Sequence, residues 1–144
     1  MQLTAFTDYT LRTLMYLGTY RERLATIQGI ADLHGISKNH LMKVAHRLGL
    51  SGLVETVRGR HGGLRLGQEP ERINIGAVVR HSEVDFYMAE CFDPGSNACH
   101  LAPACALRGV LAAATAAYLN VLDGVTLADL ITVPDATSKI VWQR

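Results

Sequence analysis

The sequence predicts a mainly α-helical protein with one small β-hairpin, and three patterns support this fold class. Apolar residues recur at helical spacing through most of the chain. Two short alternating segments flank a glycine-rich turn, and a long apolar stripe follows later in the chain. With 144 residues, of which 49% are hydrophobic, the chain can form one small domain with its own core.

Three helices are predicted in the first part of the chain. The first two cover about residues 7–20 and 26–35, and the second stops at Gly35. After one intervening residue, Ser37 can cap a third helix, whose apolar residues continue to Leu50. Two short helices joined by a tight turn that contains glycine form a helix–turn–helix.

A β-hairpin is predicted directly after the third helix. Residues 53–58 and 63–66 read as short strands, and Gly59-Arg60-His61-Gly62 joins them. A helix–turn–helix followed by such a hairpin is the winged-helix pattern, with the hairpin as the wing.

Basic and polar residues gather on the two elements that a winged helix applies to DNA. Recognition helices read base edges in the major groove, and wing cations meet phosphates or enter the minor groove. One basic cluster alone is usually a solvated face, but two clusters on these elements favour DNA binding. The predicted DNA-binding residues are Ser37, Lys38, Asn39, His40 and Lys43 on the third helix and Arg58, Arg60, His61 and Arg65 on the wing.

The charge distribution supports an anionic partner for the first part of the chain. The net charge of +1 hides eleven Lys and Arg against six Asp and Glu in residues 1–80. Residues 81–144 hold three against seven. A basic half joined to an acidic half indicates that only the first half meets nucleic acid.

All three cysteines of the chain lie in one segment. Seven residues separate Cys91 from Cys99 and five separate Cys99 from Cys105. Three thiolates on one loop can hold a soft metal centre, and an odd number argues against a closed disulfide framework. The segment lacks the Cys-x-x-Cys knuckle of zinc sites, and its wider spacing suits an iron–sulfur cluster. The alternatives are three buried structural thiols, or one redox pair with a spare thiol.

The remaining segments predict a dimer. The stripe from Leu107 to Leu122 is too apolar to stay exposed, and pairing with the same helix of a second subunit would bury it. The predicted organisation is a winged-helix domain over residues 1–80, a cysteine loop over 81–106, a dimerisation helix with a short closing helix over 107–131, and a loosely ordered tail over 132–144.

Other protein classes fit the sequence less well. No signal peptide or membrane span is visible, so we expect a cytoplasmic protein with no membrane partner. Spacing supports no catalytic triad, paired carboxylates or nucleotide loop, so we expect no enzymatic activity. A pure protein–protein interaction module would leave both basic clusters unexplained.

Four motifs together resemble a known family. They are Leu3-Thr4-x-x-Thr7-Asp8-Tyr9, Val57-Arg58-Gly59-x-x-Gly62-Gly63-x-x-Leu66-Gly67, the three cysteines, and Thr126-Leu127-Ala128-Asp129-Leu130. The chain resembles the iron–sulfur winged-helix transcriptional regulators (the NsrR/IscR/RirA group), most closely its nitric-oxide-sensing repressors. The resemblance implies a homodimer on a palindromic double-stranded DNA operator, with an iron–sulfur cluster as the sensor. We expect a 4Fe-4S cluster, with 2Fe-2S as the alternative.

The resemblance also implies ligands and leaves alternatives open. Cys91, Cys99 and Cys105 would be metal ligands, and an aspartate matching Asp8 is supplied by the partner subunit in the nitric-oxide-sensing branch. Arg108 replaces a histidine that some members carry three residues after the last cysteine. Residues 88–92 look like the iron-sensing branch, so an iron- or redox-responsive regulator is the alternative function. Other candidates for the fourth ligand are His100, Glu90, Asp93, water and an exogenous thiol.

Overall fold

The computed structural model describes residues 2–101 and 104–131 of the chain. Short 3-10 helices occupy Pro70–Arg72 and Glu90–Phe92. The predicted fold class, mainly helical with one hairpin, is confirmed, and the predicted tail over 132–144 lies outside the described residues. The main elements in chain order are α1 (Ala5–Thr19), α2 (Ile27–His34), α3 (Lys38–Leu50), β1 (Val54–Val57), β2 (Gly63–Leu66), α4 (Ile75–Ser82), α5 (Ala106–Asp123) and α6 (Leu127–Ile131).

Local signals determine the helix–turn–helix formed by α2 and α3. Thr26 caps α2 by accepting a hydrogen bond from the Gly29 N–H, at 3.0 Å. Gly35 ends α2 in the left-handed conformation, with φ of 63°, which glycine adopts without a steric penalty. Ile36 is buried beneath the turn, and Ser37 caps α3. Each cap satisfies a backbone N–H that the first helical turn leaves without a partner.

One apolar core joins the helices to the hairpin. Leu14 of α1, Ile30 of α2 and Leu41 of α3 are fully buried, and α4, α6 and β2 contribute to the same cluster. Further residues of this core are Leu17, Val44, Leu48, Val54, Leu64, Ile73, Val79 and Leu127. The helix–turn–helix and the wing are therefore held together by one core.

The wing is also tied to the helix–turn–helix by backbone hydrogen bonds. Strands β1 and β2 pair antiparallel, with Val54 opposite Leu66 and Val57 opposite Gly63. Ala25, just before α2, exchanges two backbone hydrogen bonds with Leu64, at 3.0 and 2.7 Å. These bonds fix the base of the wing against the start of the helix–turn–helix.

Helix α5 contains no buried residue, in contrast to the helices of the winged helix. Leu107, Val110 and Val121 are 62%, 64% and 69% exposed. No helix within residues 2–101 and 104–131 is long and apolar enough to cross a membrane. In the described part of the chain, no element buries this apolar surface of α5.

The carboxyl end of α5 is fastened to α4. Arg80 forms a two-pronged ion pair with Asp123, in which Nη2 donates to Oδ2 at 2.7 Å. The hydrogen bond from Arg80 holds the pKa of the Asp123 carboxyl below its usual range. Asn74 donates from Nδ2 to the Asp123 carbonyl oxygen at 2.7 Å. These contacts set the direction in which α5 leaves the winged helix.

Gly76 is required where α4 meets the end of α5, and replacing it tests this junction. An alanine Cβ at position 76 would overlap Oδ1 of Asp123 and lie 2.9 Å from its backbone nitrogen. We expect Gly76→Ala to lower the free energy of unfolding by roughly 1–3 kcal/mol, the usual cost of overpacking. Urea denaturation measures the effect.

Gly49→Ala is the matched control, because its Cβ would meet only the Val54 carbonyl oxygen at an ordinary 3.9 Å. It should leave stability unchanged or raise it by up to about 1 kcal/mol, since alanine is the better helix former. Equal stability of the two variants would contradict the tight junction.

Candidate nucleic-acid interface and metal centre

Helix α3 turns its predicted DNA-binding residues outward. Leu41, Val44, Ala45 and Leu48 are buried against the core, so the opposite face of the helix meets solvent. Polar and basic side chains occupy that face. Ser37, Lys38, Asn39, His40 and Lys43 are all exposed.

Met42 also belongs to this outward face, which sequence reasoning missed. Met42 is one of the apolar residues that the predicted third helix carries, yet it is 48% exposed. The signal available in the sequence was its spacing, four residues after Lys38 and four before His46, which puts the three on one helical face. Leu50 is likewise 73% exposed at the end of α3.

Exposed basic side chains of the wing lie at its tip. Arg58, Arg60 and His61 are exposed in the turn between β1 and β2. Gly59 adopts φ of 117°, and a Cβ on Gly62 would overlap the Val57 carbonyl oxygen, so the turn needs both glycines. This backbone keeps the basic tip tight and presents its side chains to solvent.

Arg65 has a different environment from the other wing cations. It lies opposite Glu55 in the strand pairing, and its Nε and Nη2 both reach Oε2 of Glu55 at 2.8 Å. A phosphate would have to compete with this carboxylate for the guanidinium. Among the predicted wing contacts, Arg58 and Arg60 are therefore the more available cations.

The three cysteines are free thiols at the surface of the loop between α4 and α5. Cys91 lies in the 3-10 helix Glu90–Phe92 and is half-buried, Cys99 is exposed, and half-buried Cys105 directly precedes α5. Within residues 2–101 and 104–131, there is no cluster of three or more His, Cys, Asp or Glu side chains close enough together to hold a metal ion. The described loop has the soft donors that suit an iron–sulfur cluster, but not in a gathered arrangement.

Two acidic residues of the loop hold its backbone. Glu90 accepts a hydrogen bond from the Ala98 N–H at 2.6 Å. Asp93 accepts from Ser96 Oγ at 2.6 Å and from the Gly95 N–H at 2.8 Å. These bonds, the one from Ser96 above all, hold the pKa of Asp93 below its usual range. Both carboxylates therefore stabilise the loop backbone between Cys91 and Cys99.

Asp8 lies on the first turn of α1 and pairs with Arg12. The Arg12 Nε donates to Oδ1 at 3.0 Å, and Nη2 lies 2.9 Å from Oδ2. Both side chains remain partly exposed, at 41% for Asp8 and 46% for Arg12. The next residue, Tyr9, lies with its ring centroid 6.2 Å from that of His40 on α3. The first turn of α1 thus connects a candidate ligand to the candidate DNA-reading helix.

Arg108 connects the two ends of the cysteine loop. Its Nε donates to the carbonyl oxygen of Cys91 at 3.3 Å, and its guanidinium carbon lies 5.3 Å from the centroid of the Phe92 ring. Sequence reasoning noticed this residue only as a replacement for a histidine. No sequence signal indicated a contact across seventeen residues.

Comparison with protein families and with curated relatives gives one consistent result. The Rrf2 family, described as an iron-dependent transcriptional regulator, matches residues 3–133. The HTH-type transcriptional regulator NsrR of Bacillus licheniformis is 53% identical over 141 residues, covering 97% of this chain and 99% of the relative. NsrR of Bacillus subtilis is 52% identical over 145 residues, covering 100% and 99%.

Solved structures share the fold over nearly the whole chain. The global cysteine regulator CymR of B. subtilis superposes with a TM-score of 0.71 and 26% identity, covering 94% of this chain and 99% of that one. IscR of T. potens gives a TM-score of 0.70 and 25% identity, covering 91% and 86%. The winged-helix fold inferred from the sequence is thereby confirmed.

Proposed function

Because this chain belongs to the Rrf2 family of transcriptional regulators, we propose that it is a homodimeric DNA-binding repressor whose operator affinity depends on an iron–sulfur cluster that senses nitric oxide. The observation that carries this proposal is the loop with three free thiols, which joins a winged helix with two exposed basic elements to an uncovered apolar helix. Membership of this family also supports a regulatory rather than an enzymatic role.

DNA binding would use the two surfaces that the winged helix presents. The leading turns of α3 expose Lys38, Asn39 and Lys43, where recognition helices contact base edges in the major groove. Arg58 and Arg60 at the wing tip would meet phosphates or the minor groove. A dimer would set two such units on a palindromic operator, with half-sites about 34 Å apart.

Dimerisation would cover α5. The helix is apolar and contains no buried residue in the single chain. Its run of small residues from Ala112 to Ala117 allows a second helix to approach closely. A symmetric pairing of α5 with its copy would bury this surface and define the dimer axis.

The chain offers three soft ligands and one hard ligand for the cluster. Cys91, Cys99 and Cys105 would provide thiolates, and Asp8 of the partner subunit would provide a carboxylate. When bound, the cluster supplies iron that reacts with nitric oxide. A carboxylate holds such iron less firmly than a thiolate, so Asp8 is the ligand that leaves most readily. With three thiolates and one further ligand, a 4Fe-4S cluster is proposed, with 2Fe-2S as the alternative.

Asp8 would couple this site to DNA through α1. A carboxylate that binds the partner's loop would compete with its own ion pair to Arg12, which engages both of its oxygens. Tyr9 on the same turn contacts His40 at the start of α3. A shift of the first turn of α1 would therefore reach the DNA-reading helix directly.

An iron-responsive regulator of the same fold is the second candidate. The family's description as an iron-dependent transcriptional regulator favours it. The same residues would hold the same cluster, but the signal would be loss of the cluster during iron starvation.

The DNA surface is tested by substitutions on α3 and the wing. Arg60→Ala should weaken binding to all duplexes and lower the salt slope by about one, because a phosphate contact is lost. Asn39→Ala should cost roughly 1–3 kcal/mol at a particular base pair and relax sequence choice there. Fluorescence anisotropy at several salt concentrations, with a palindrome selected from random duplexes, measures both effects.

Arg72→Ala is the control, since Arg72 is also exposed but lies in the 3-10 helix Pro70–Arg72, outside α3 and the wing. An effect of Arg72→Ala as large as that of Arg60→Ala would reassign the DNA surface.

The ligand set is tested by four single substitutions. Cys91→Ala, Cys99→Ala and Cys105→Ala should each abolish cluster retention, because each removes a thiolate. Asp8→Ala should retain a cluster with an altered spectrum, because water can replace a carboxylate. Iron and sulfide analysis after anaerobic reconstitution measures occupancy, with Asp32→Ala as a control carboxylate that instead binds Gln28. Full occupancy in any cysteine variant would remove that residue from the set.

The signal is tested on loaded protein with operator DNA. A few equivalents of nitric oxide per cluster, with iron kept plentiful, should weaken operator binding roughly 5- to 150-fold, the range of ordinary allosteric coupling. A parallel titration uses an iron chelator without nitric oxide. Unchanged affinity with nitric oxide, together with a loss with chelator, would contradict nitric oxide sensing and support the iron-responsive alternative.

A further inference from the structure

The position of Arg108 is electrostatically unusual. It is the only Lys or Arg in residues 81–131, which contain six Asp and Glu. It lies in the first turn of α5, where the partial positive charge of the helix end disfavours a cation. A cation at this position is electrostatically favourable only if negative charge beside it outweighs the effect of the helix end.

The contacts of Arg108 point toward the thiols. Its Nε donates to the Cys91 carbonyl oxygen, and its guanidinium stacks against Phe92, the next residue. Cys105 lies three residues before it on the same chain segment. Arg108 therefore closes the loop that begins at Cys91 and ends at Cys105.

The charge of Arg108 is not neutralised by a carboxylate in the described part of the chain. The ion pairs found there join Arg12 with Asp8, Arg21 with Glu69, Arg65 with Glu55, and Arg80 with Asp123. The guanidinium has five N–H donors, and only Nε is used toward Cys91. Charge and donors thus remain available at the edge of the loop.

We propose that Arg108 is a positioning residue that holds the first and third cysteines in range of one cluster and balances the negative charge gathered there. The inference rests on the proposed function, since it assumes that the thiols hold an iron–sulfur cluster. Three thiolates bring negative charge onto one small loop, and a nearby cation lowers the energy of that arrangement. Net charge and hydrogen bonding near a cluster also set its reduction potential.

Two substitutions separate charge from geometry. Arg108→Gln removes the charge but keeps a polar side chain with N–H donors, and Arg108→Lys keeps the charge but loses the planar fork. Arg72→Gln is the matched control, because it removes an exposed arginine distant in sequence from the loop. All proteins are full-length, reconstituted anaerobically, and compared first by thermal unfolding without the cluster.

We expect Arg108→Gln to lose its cluster to a chelator about 10- to 100-fold faster than wild type, the usual effect of removing a group that supports metal ligands. The midpoint potential of its cluster should be lower than in wild type, because the variant lacks the positive charge of Arg108, which would stabilise the more negative, reduced cluster. Arg108→Lys should restore the potential, and Arg72→Gln should match wild type in both measurements.

The outcomes distinguish this inference from the proposed function. A wild-type protein that takes up no iron and sulfide would contradict the proposed function itself. A loaded wild type with an Arg108→Gln variant of equal potential and equal chelator resistance would overturn the role of Arg108 alone. Equal lowering of the potential in the Gln and Lys variants would overturn the charge role.

Discussion

Helix α5 exposes Leu107, Val110 and Val121 to water, and fully burying a side chain of this kind contributes roughly 1.5–3 kcal/mol. The described residues leave these side chains largely exposed, while α1, α4 and α6 contribute to the core of the winged helix instead. The position of α5 is nevertheless fixed, because Asp123 is bound to Arg80 and Asn74. A partner helix would therefore meet a surface whose direction is already set by the DNA-binding body.

The first turn of α1 is where the parts of the molecule meet. Thr4 donates from its backbone nitrogen and its Oγ1 to Oε1 of Glu83, at 2.8 and 3.1 Å, which anchors the start of the cysteine segment. Four residues later Asp8 pairs with Arg12, and Tyr9 lies against His40. The start of α1 therefore contacts the entry to the cysteine loop through Thr4, carries the candidate ligand Asp8, and contacts α3 through Tyr9. A movement of that turn would change the contact between Tyr9 and His40.

Local signals made the helix–turn–helix and the wing predictable. Gly35 allows the turn because it adopts the left-handed conformation, and Ser37 starts the next helix by capping it. The glycines at positions 59 and 62 likewise indicate the tight turn at the wing tip. Long-range geometry was not predictable in this way. The pairing of Arg65 with Glu55, for example, depends on strand register.

The sequence predicts the ligands of the candidate metal site but not their arrangement in space. Spacing identified three soft donors, and the structure finds them free and accessible on one loop. Spacing could not predict how they are arranged in space, because loop geometry depends on hydrogen bonds such as those of Glu90 and Asp93. The contact of Arg108 with Cys91 likewise arises only after α5 has been oriented.

The energy of a switch at this site cannot come from the pair of Asp8 with Arg12. Both side chains are partly exposed, and a helical pair of this kind contributes only about 0.3–0.5 kcal/mol. Asp8 can therefore exchange Arg12 for another partner at little cost, which suits a ligand that must come and go. A coupling of about 1–3 kcal/mol has to arise elsewhere. The packing of Tyr9 against His40 is one such source, because it is a contact that α1 and α3 share.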